Sequence, residues 1–186
     1  MRVYRFADGT LLEESKFLVD NLQVSLQKVR AKWHGLTEKE KLQFAQAFSA
    51  KPDLLPEDEG IVDFLIREGN WPIRLTIAPL LPRHSDRSFA FNVLDTWIKD
   101  KRSPKANFFQ AIELIGDSRA VPTLKSIFTE FEQRREKLNE NELFDYVYCC
   151  KALWGLTHEP EYERAIRKCR QSNVLSVRVA AEALLN

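Results

Sequence analysis

Residues that open helices recur at regular intervals through the second half of the chain. Asn70, Ser103, Asn141 and Asn173 each precede an apolar segment of helical spacing, and Asn and Ser are residue types that cap helix N-termini. These openings lie 33, 38 and 32 residues apart, and a second amphipathic segment between successive openings predicts a partner helix. A helix pair that repeats every 30 to 40 residues or so is typical of an α-solenoid, because one pair cannot bury its apolar face alone.

The first 69 residues fit this repeat less closely, although they also favour helices. The segment "RVYRF" is predicted to be short and extended, closed by Asp8 and Gly9. A helix is predicted next because apolar residues recur at steps of three or four, at Leu18, Leu22, Leu26, Val29 and Trp33. A second helix is predicted from Thr37, with Glu40 as its capping-box partner. A third covers residues 59–69 and ends at Gly69.

Composition agrees with a helical fold. The chain has 186 residues, and its 6 glycines are too few for the turns of a β-sandwich or β-barrel. We therefore predict an all-α protein, an α-solenoid of four to five stacked antiparallel helix pairs with a right-handed superhelical twist. No Pro-, Ser- or Gly-rich linker divides the sequence. One domain is predicted over residues 1–186, with a divergent helical cap at 1–69 and repeats at 70–186.

Charge and cysteine content exclude several classes of protein. The formal net charge is +1, whereas non-specific nucleic-acid binders usually carry a strong basic excess, so a nucleic-acid partner is disfavoured. No apolar stretch approaches the ~20 residues of a membrane span, and the N-terminus does not resemble a secretory signal. The three cysteines form no CxxC pair, which indicates reduced thiols and a cytoplasmic location.

Three segments of the chain resemble HEAT repeats, in particular the HEAT-like repeats first described in phycobilin lyases. They are "NWPIRLTIAPLL", "IGDSRAVPTLKSIF" and "SVRVAAEALL". In that pattern the first helix carries Arg followed by small and apolar residues, which Arg178 with Ala180 and Ala181 matches well and Arg74 matches loosely. The second helix follows a Gly-Asp turn and opens with Ala-Val-Pro-x-Leu, as residues 116–124 do.

The resemblance covers residues 70–186 and departs from the pattern at 141–171, where "YVYCCKALWGL" replaces the Arg-Ala-Ala motif. It implies an armadillo-type stack of helix pairs. Such arrays serve as scaffolds, as inhibitors and in a few enzymes, so the resemblance alone does not decide function. The arginines at 74, 119 and 178 are expected to bridge turns or backbone carbonyls of adjacent repeats.

Motifs of catalysis or metal binding are not evident. The stretch "LIGDSRAVPTLKSIF" lacks the G-x-S-x-G of a nucleophile elbow and the Gly-Lys-Ser/Thr of a phosphate loop, so we interpret it as the turn within a helix pair. His34, His84 and His158 are far apart, lie at predicted helix boundaries and have no partner at metal-ligand spacing, so capping or surface positions are expected. We predict no catalytic, cofactor-binding or metal-binding residue.

Basic residues on the second helix of each pair are the candidate partner-binding residues, because second helices usually line the concave face of a HEAT array. Residues 71–186 contain 18 basic and 15 acidic side chains, net +3, whereas residues 1–70 contain 10 and 12, net −2. A basic groove of this kind would attract an acidic partner. The candidates are Arg83, Arg87, Lys99, Lys125, Arg134, Arg135, Arg164 and Arg167, with Trp97 as an aromatic anchor.

The sequence thus favours a non-catalytic protein-binding module, a small adaptor or an inhibitor such as an immunity protein that neutralises a toxin. Two enzymatic alternatives stay open. One is a HEAT-like alkylpurine DNA glycosylase, whose groove residues would be Trp71, Arg87, Asp95 and Trp97. The other is an enzyme like the phycobilin lyases, although the Cys149–Cys150 pair lies on an apolar helix and is expected in the core.

Overall fold

The computed structural model describes residues 3–5, 11–13, 18–19, 23–51, 54–102 and 104–185, with side chains from residue 25 onward. The chain forms two compact units, Met1–Ser85 and Asp86–Asn186. Residues 69 and 70, where the predicted cap and repeats meet, lie inside the first unit.

Four short strands precede α1 among the described residues of the N-terminal segment. β1 (Val3–Arg5) pairs antiparallel with β2 (Leu11–Glu13), and β3 (Leu18–Val19) pairs antiparallel with β4 (Gln23–Val24). The predicted extended segment at "RVYRF" is confirmed by β1, whereas Asp8 and Gly9 lie outside the described residues. The prediction of a helix from Leu18 is wrong before Leu26, because helical spacing of apolar residues does not exclude extended backbone.

The helices of the first unit are α1 (Leu26–Trp33), α2 (Glu38–Ser49), α3 (Pro56–Glu68) and α4 (Trp71–Ile77). The capping box of α2 is confirmed: the Thr37 hydroxyl accepts from the Glu40 backbone N–H, and the Glu40 carboxylate accepts from the Thr37 N–H. α4 ends earlier than predicted and continues as a 3-10 helix over Ala78–Arg83, since Pro79 and Pro82 lack the N–H groups that an α-helix needs.

The second unit contains α5 (Arg87–Ile98), α6 (Ala106–Ile115), α7 (Val121–Gln133), α8 (Glu140–Thr157), α9 (Pro160–Cys169) and α10 (Leu175–Leu185). α8 is its central helix and packs against α6, α7, α9 and α10. Short 3-10 turns over Ser118–Ala120 and Arg135–Lys137 connect α6 to α7 and α7 to α8. The predicted all-helical character is confirmed from Leu26 onward in the described residues.

The helix starts recur more regularly than the sequence pattern. α4, α6, α8 and α10 begin at residues 71, 106, 140 and 175, which are 35, 34 and 35 residues apart. Asn70 caps α4 as predicted, but Asn139, not Asn141, caps α8. Ser103 lies outside the described residues, and α6 begins only at Ala106. The solenoid stack and its right-handed twist stay predictions.

The segment that joins α6 to α7 is a turn, as predicted. Gly116 ends α6 in the left-handed conformation, with φ of 73°, which glycine adopts without steric cost. The Asp117 carboxylate then accepts from the Arg119 backbone N–H and opens the 3-10 turn. Pro122 lies in the first turn of α7, where a missing N–H costs little.

Two of the three arginines at 74, 119 and 178 bind backbone carbonyls of the turn that precedes their own helix. The Arg74 side chain donates to the Gly69 carbonyl at 3.0 Å, and the Arg178 side chain donates to the Ser172 carbonyl at 2.8 Å, so each ties a helix to the turn before it. Arg119 instead pairs with Asp117, and its guanidinium lies 4.4 Å from the centroid of the Phe91 ring on α5. The expectation that these arginines bind turns or backbone carbonyls is thus confirmed for Arg74 and Arg178, whereas Arg119 binds the Asp117 side chain.

Candidate partner-binding grooves

The first two candidate arginines serve backbone carbonyls. Arg83 in the first unit is exposed and donates to the Lys51 carbonyl at 3.3 Å. Arg87 in the second unit donates to the carbonyl of Ile115, the last residue of α6, at 3.2 Å. A guanidinium satisfies a carbonyl at a helix C-terminus that the helix itself leaves unpaired. A structural role therefore accounts for the position of Arg87.

Trp97 is not an exposed anchor, which corrects that part of the prediction. Its side chain is only 5% exposed, and its ring lies 5.2 Å from that of Phe108 in the core. The glycosylase set is not brought together either: Asp95 pairs with Lys99, and Arg87 lies at the opposite end of the same helix, roughly 12 Å away at 1.5 Å per residue. Burial excludes Trp97 from a partner surface because an anchor must reach the partner.

A groove of about 740 Å³ opens in the second unit, between the end of α5, the segment after it, α7 and the start of α8; we call it the larger groove. Its floor is apolar and includes Ile98, Ile127 and Phe131. Two predicted residues, Lys99 and Arg134, line it. Three further basic residues also line the larger groove, and none of them was predicted from the sequence: Lys101, Arg102 and Lys105.

The missed residues belong to one short stretch, "KDKRSPK" (99–105), which has four basic side chains in seven positions. The reasoning from sequence placed binding residues on second helices and so passed over the segment between helices. The density of charge in that stretch was the available signal, since loops on a rigid scaffold often carry binding residues.

Most carboxylates of the larger groove are already engaged. Asp100 forms two hydrogen bonds with the Arg102 side chain, which holds the pKa of that carboxyl far below its usual value. Glu142 pairs with Arg134 at 2.7 Å and caps α8, and these contacts also lower its pKa, chiefly through the Asn139 backbone N–H. These acids remain ionised at neutral pH and leave Lys101 without an ion-pair partner among the described residues.

Lys105 and Asp145 form the inner wall of the larger groove. The Asp145 carboxylate is 1% exposed and accepts from the Lys105 backbone N–H, which positions the first turn of α6 against α8. The Lys105 ammonium donates to the Ile98 carbonyl at 3.1 Å, and burial lowers its pKa. Both groups therefore hold α5, α6 and α8 together, while Lys99, Lys101, Arg102 and Arg134 face outward along the rim.

A second groove, of about 250 Å³, lies beside α7 and α9; we call it the smaller groove. It contains two more of the predicted residues, Arg135 and Arg164, together with Lys168. Phe128 and Tyr146 form its aromatic side, with ring centroids 5.8 Å apart and nearly parallel planes. Cationic side chains from α9 and from the segment after α7 thus border an aromatic surface.

The last two candidates, Lys125 and Arg167, line neither groove and form ion pairs. Lys125 on α7 contacts the Glu159 carboxylate at 2.9 Å, which links α7 to the start of α9. Arg167 pairs with Glu163 one turn earlier on α9. Exposed pairs of this kind contribute little to stability, about 0–1 kcal/mol, and both remain accessible in part.

The cysteines and histidines occupy structural positions. Cys149, Cys150 and Cys169 are free and buried, as predicted, and burial raises the pKa of all three thiols, which keeps them protonated and unreactive. His34 and His158 are exposed C-caps of α1 and α8, and His84 caps the 3-10 helix Ala78–Arg83, so all three lie at helix boundaries as predicted. The His84 side chain is only 7% exposed, with Nε2 3.4 Å from an Asp63 oxygen, so it is a buried cap and not a surface residue. The described residues contain no cluster of three or more His, Cys, Asp or Glu that could hold a metal ion.

Comparison with protein-family models, with curated proteins and with solved structures finds no match to this chain. Among the residues that the structure describes, no helix is both long enough and apolar enough to cross a membrane.

Proposed function

We propose that this protein is a non-catalytic protein-binding module, a small adaptor or inhibitor, whose second unit binds an acidic segment of a partner protein in the larger groove. The observation that carries the proposal is the composition of that groove: an apolar floor of Ile98, Ile127 and Phe131 under a rim of basic side chains. HEAT-like repeats, as the sequence pattern predicts, would supply the scaffold. The three reduced, buried thiols agree with a cytoplasmic protein.

The apolar floor supplies the affinity in this proposal. Ile98 is fully buried and Phe131 is only 7% exposed, so Ile127, half-buried on α7, offers most of the floor's apolar surface that a partner side chain could remove from water. Burial of apolar area contributes about 25 cal/mol per Å². One or two inserted apolar side chains would therefore anchor a segment.

The basic rim supplies the selectivity. Lys99, Lys101, Arg102 and Arg134 lie on the rim, and Lys101 has no ion-pair partner among the described residues. Carboxylates of a partner would pair with Lys101 and share the exposed donors of Arg102 and Arg134. Complementary charge of this kind speeds encounter and rejects basic partners more than it adds affinity.

Binding is favoured over catalysis by the state of the ionisable groups in the groove. Asp100 and Glu142 each accept hydrogen bonds from neighbours that stabilise their charged forms and lower their pKa. A general base or acid at neutral pH needs a pKa shifted toward 7, and contacts of this kind shift a carboxyl pKa away from 7. Neither the glycosylase nor the lyase alternative is favoured by a specific observation.

Affinity capture from the native host tests the proposal. The baits would be the wild type and the Lys99→Glu/Lys101→Glu variant, whose substitutions lie on the exposed rim and leave the floor intact. We expect the wild type to retain a discrete partner and the variant to lose most of it. Rim charges act through encounter rate and salt dependence, so raising the salt concentration should weaken wild-type capture as well.

A matched control separates the groove from net charge. Lys39→Glu/Lys137→Glu changes the net charge by the same amount, and both lysines are exposed and line neither groove. The control should retain the partner. Equal loss in both double variants would show a non-specific charge effect, and capture that no substitution changes would overturn the assignment of the groove.

A further inference from the structure

The smaller groove has a charge pattern different from that of the larger one. Arg164 and Lys168 are exposed, lie one turn apart on α9 and have no ion-pair partner among the described residues. Like charges at this spacing destabilise a helix by a few tenths of a kcal/mol. Arg135 adds a third cation to the same groove.

Two carboxylates line the smaller groove, Glu132 and Glu161, and both interact with neighbouring side chains. The Glu132 carboxylate accepts from Arg135 at 2.7 Å and from the Tyr146 hydroxyl. Glu161 lies in the first turn of α9, where the helix dipole stabilises its charge, and it interacts with the Tyr162 hydroxyl. Arg135 is thereby neutralised by Glu132. Glu161 offsets one of the two charges of Arg164 and Lys168, so the charged side chains that line the groove sum to +1.

We propose that the smaller groove binds a phosphomonoester, with Arg164 and Lys168 as its charge partners. A phosphomonoester carries a charge of −1.5 to −2 or so at neutral pH and three strong acceptor oxygens, which match two unpaired cations better than one carboxylate does. Arginine recognises such a group with two parallel N–H donors, and lysine acts as a point charge.

The wall of the smaller groove identifies the organic part of the ligand. The Phe128 ring is half-exposed and stacks on Tyr146, which is itself fully buried, and the buried Ala165 lies beside them, so Phe128 is the ring of this wall that a ligand can contact. This surface accommodates an apolar or aromatic carrier behind the phosphate, and the volume of about 250 Å³ admits one side chain. Arg135 is fixed over the Tyr146 ring at 4.5 Å, so the wall is rigid before a ligand binds.

Titration calorimetry with phenyl phosphate tests this inference without a protein partner, so it does not depend on the proposed function. Inorganic phosphate and phenol serve as the two partial ligands. We expect phenyl phosphate to bind more tightly than inorganic phosphate, and phenol to give no measurable binding. The binding should weaken as salt is added.

Variants on α9 locate the site. Arg164→Ala/Lys168→Ala should weaken phenyl phosphate binding at least about tenfold, because each charged hydrogen bond contributes at least that factor. Arg167→Ala is the matched control, since Arg167 is on the same helix, pairs with Glu163 and does not line the groove; it should bind as the wild type does. Circular dichroism confirms that both variants fold.

Three results would overturn the inference. They are the absence of phenyl phosphate binding to the folded wild type, unchanged binding in Arg164→Ala/Lys168→Ala, and inorganic phosphate binding as tightly as phenyl phosphate. The last result would identify an anion site without a role for the aromatic wall.

Discussion

Gly69 is a position where a single methyl group should destabilise the first unit. It follows α3 and precedes the turn into α4, and its φ of −76° is open to any residue. Space is what constrains it: a Cβ at this position would lie 2.4 Å from the Leu65 carbonyl oxygen and 2.7 Å from Ile73 Cγ2. Both distances are shorter than real Cβ contacts, so Gly69→Ala must displace backbone or a β-branched side chain.

The neighbours of Gly69 cannot yield easily. Leu65 and Ile73 are buried, and the Leu65 carbonyl accepts from the Gly69 N–H at 2.9 Å. The Gly69 carbonyl in turn accepts from Arg74 at 3.0 Å. Overpacking of a core costs about 1–3 kcal/mol. Weakening of one hydrogen bond adds about 1 kcal/mol, so we expect Gly69→Ala to lower the free energy of unfolding by roughly 2–4 kcal/mol.

Urea unfolding followed by circular dichroism and tryptophan fluorescence measures this loss. Gly35→Ala is the matched control, because its Cβ would lie 3.5 Å from the Lys32 carbonyl, an ordinary contact, and its position is exposed. The control should stay within about 0.5 kcal/mol of the wild type. A Gly69→Ala variant as stable as the control would refute the close packing of Gly69 between Leu65 on α3 and Ile73 on α4.

Three further substitutions or conditions have defined outcomes. Gly116→Ala should lower the free energy of unfolding in urea by about 1 kcal/mol, because φ is 73° at this position. Steric overlap is not the cause, since an added Cβ would meet no atom within 4 Å. An unchanged urea midpoint would contradict the left-handed turn. Tyr146→Phe removes the hydroxyl that donates to Glu132 and should cost about 1–2 kcal/mol, and no loss would mean that the hydrogen bond contributes nothing. Burial raises the pKa of the Cys149 and Cys150 thiols, so above pH 9 the unfolded chain releases protons that the folded chain retains. The free energy of unfolding, measured across pH 8–11, should therefore fall as the pH rises, by up to about 1.4 kcal/mol per pH unit for each thiol. A free energy of unfolding that does not change with pH would argue against the burial of these thiols.

The sequence predicted helix ends best where a side chain itself caps the backbone. Thr37 with Glu40 and Asn70 with its first-turn proline were located to the residue, because the capping geometry needs those residue types at those spacings. The start of α8 was placed two residues late, since Asn139 and Asn141 are equally good caps by type. Only the capping box with Glu142 distinguishes Asn139.

The first helix shows where periodicity fails. Leu18 continues the apolar spacing of α1 backward, but Leu18 pairs with Val24 in a strand ladder. Ser25 ends the extended segment and caps α1 by accepting from the Lys28 N–H. The helix-start signal was therefore present in the sequence at Ser25, whereas the apolar spacing before it is compatible with either a helix or a strand.

The candidate site was only partly predictable, since ion pairing and burial depend on tertiary contacts. Lys99 and Arg134 line the larger groove, but Trp97 is in the core and Arg87 serves a helix end. A tryptophan on an amphipathic helix has no sequence signal that separates a core position from an anchor. Lys101, in contrast, belongs to a dense basic stretch that the sequence displays openly.

Site-specific photo-crosslinking tests the proposed function most directly. A photoreactive residue at Ser126, which is exposed in the larger groove, would be compared with one at Gln110, which is exposed on α6 and does not line the groove. We predict that Ser126 alone captures a discrete host protein and that the crosslinked peptide is rich in Asp and Glu. Capture of the same proteins from both positions, or of a basic peptide from Ser126, would contradict the proposal that the larger groove binds an acidic partner.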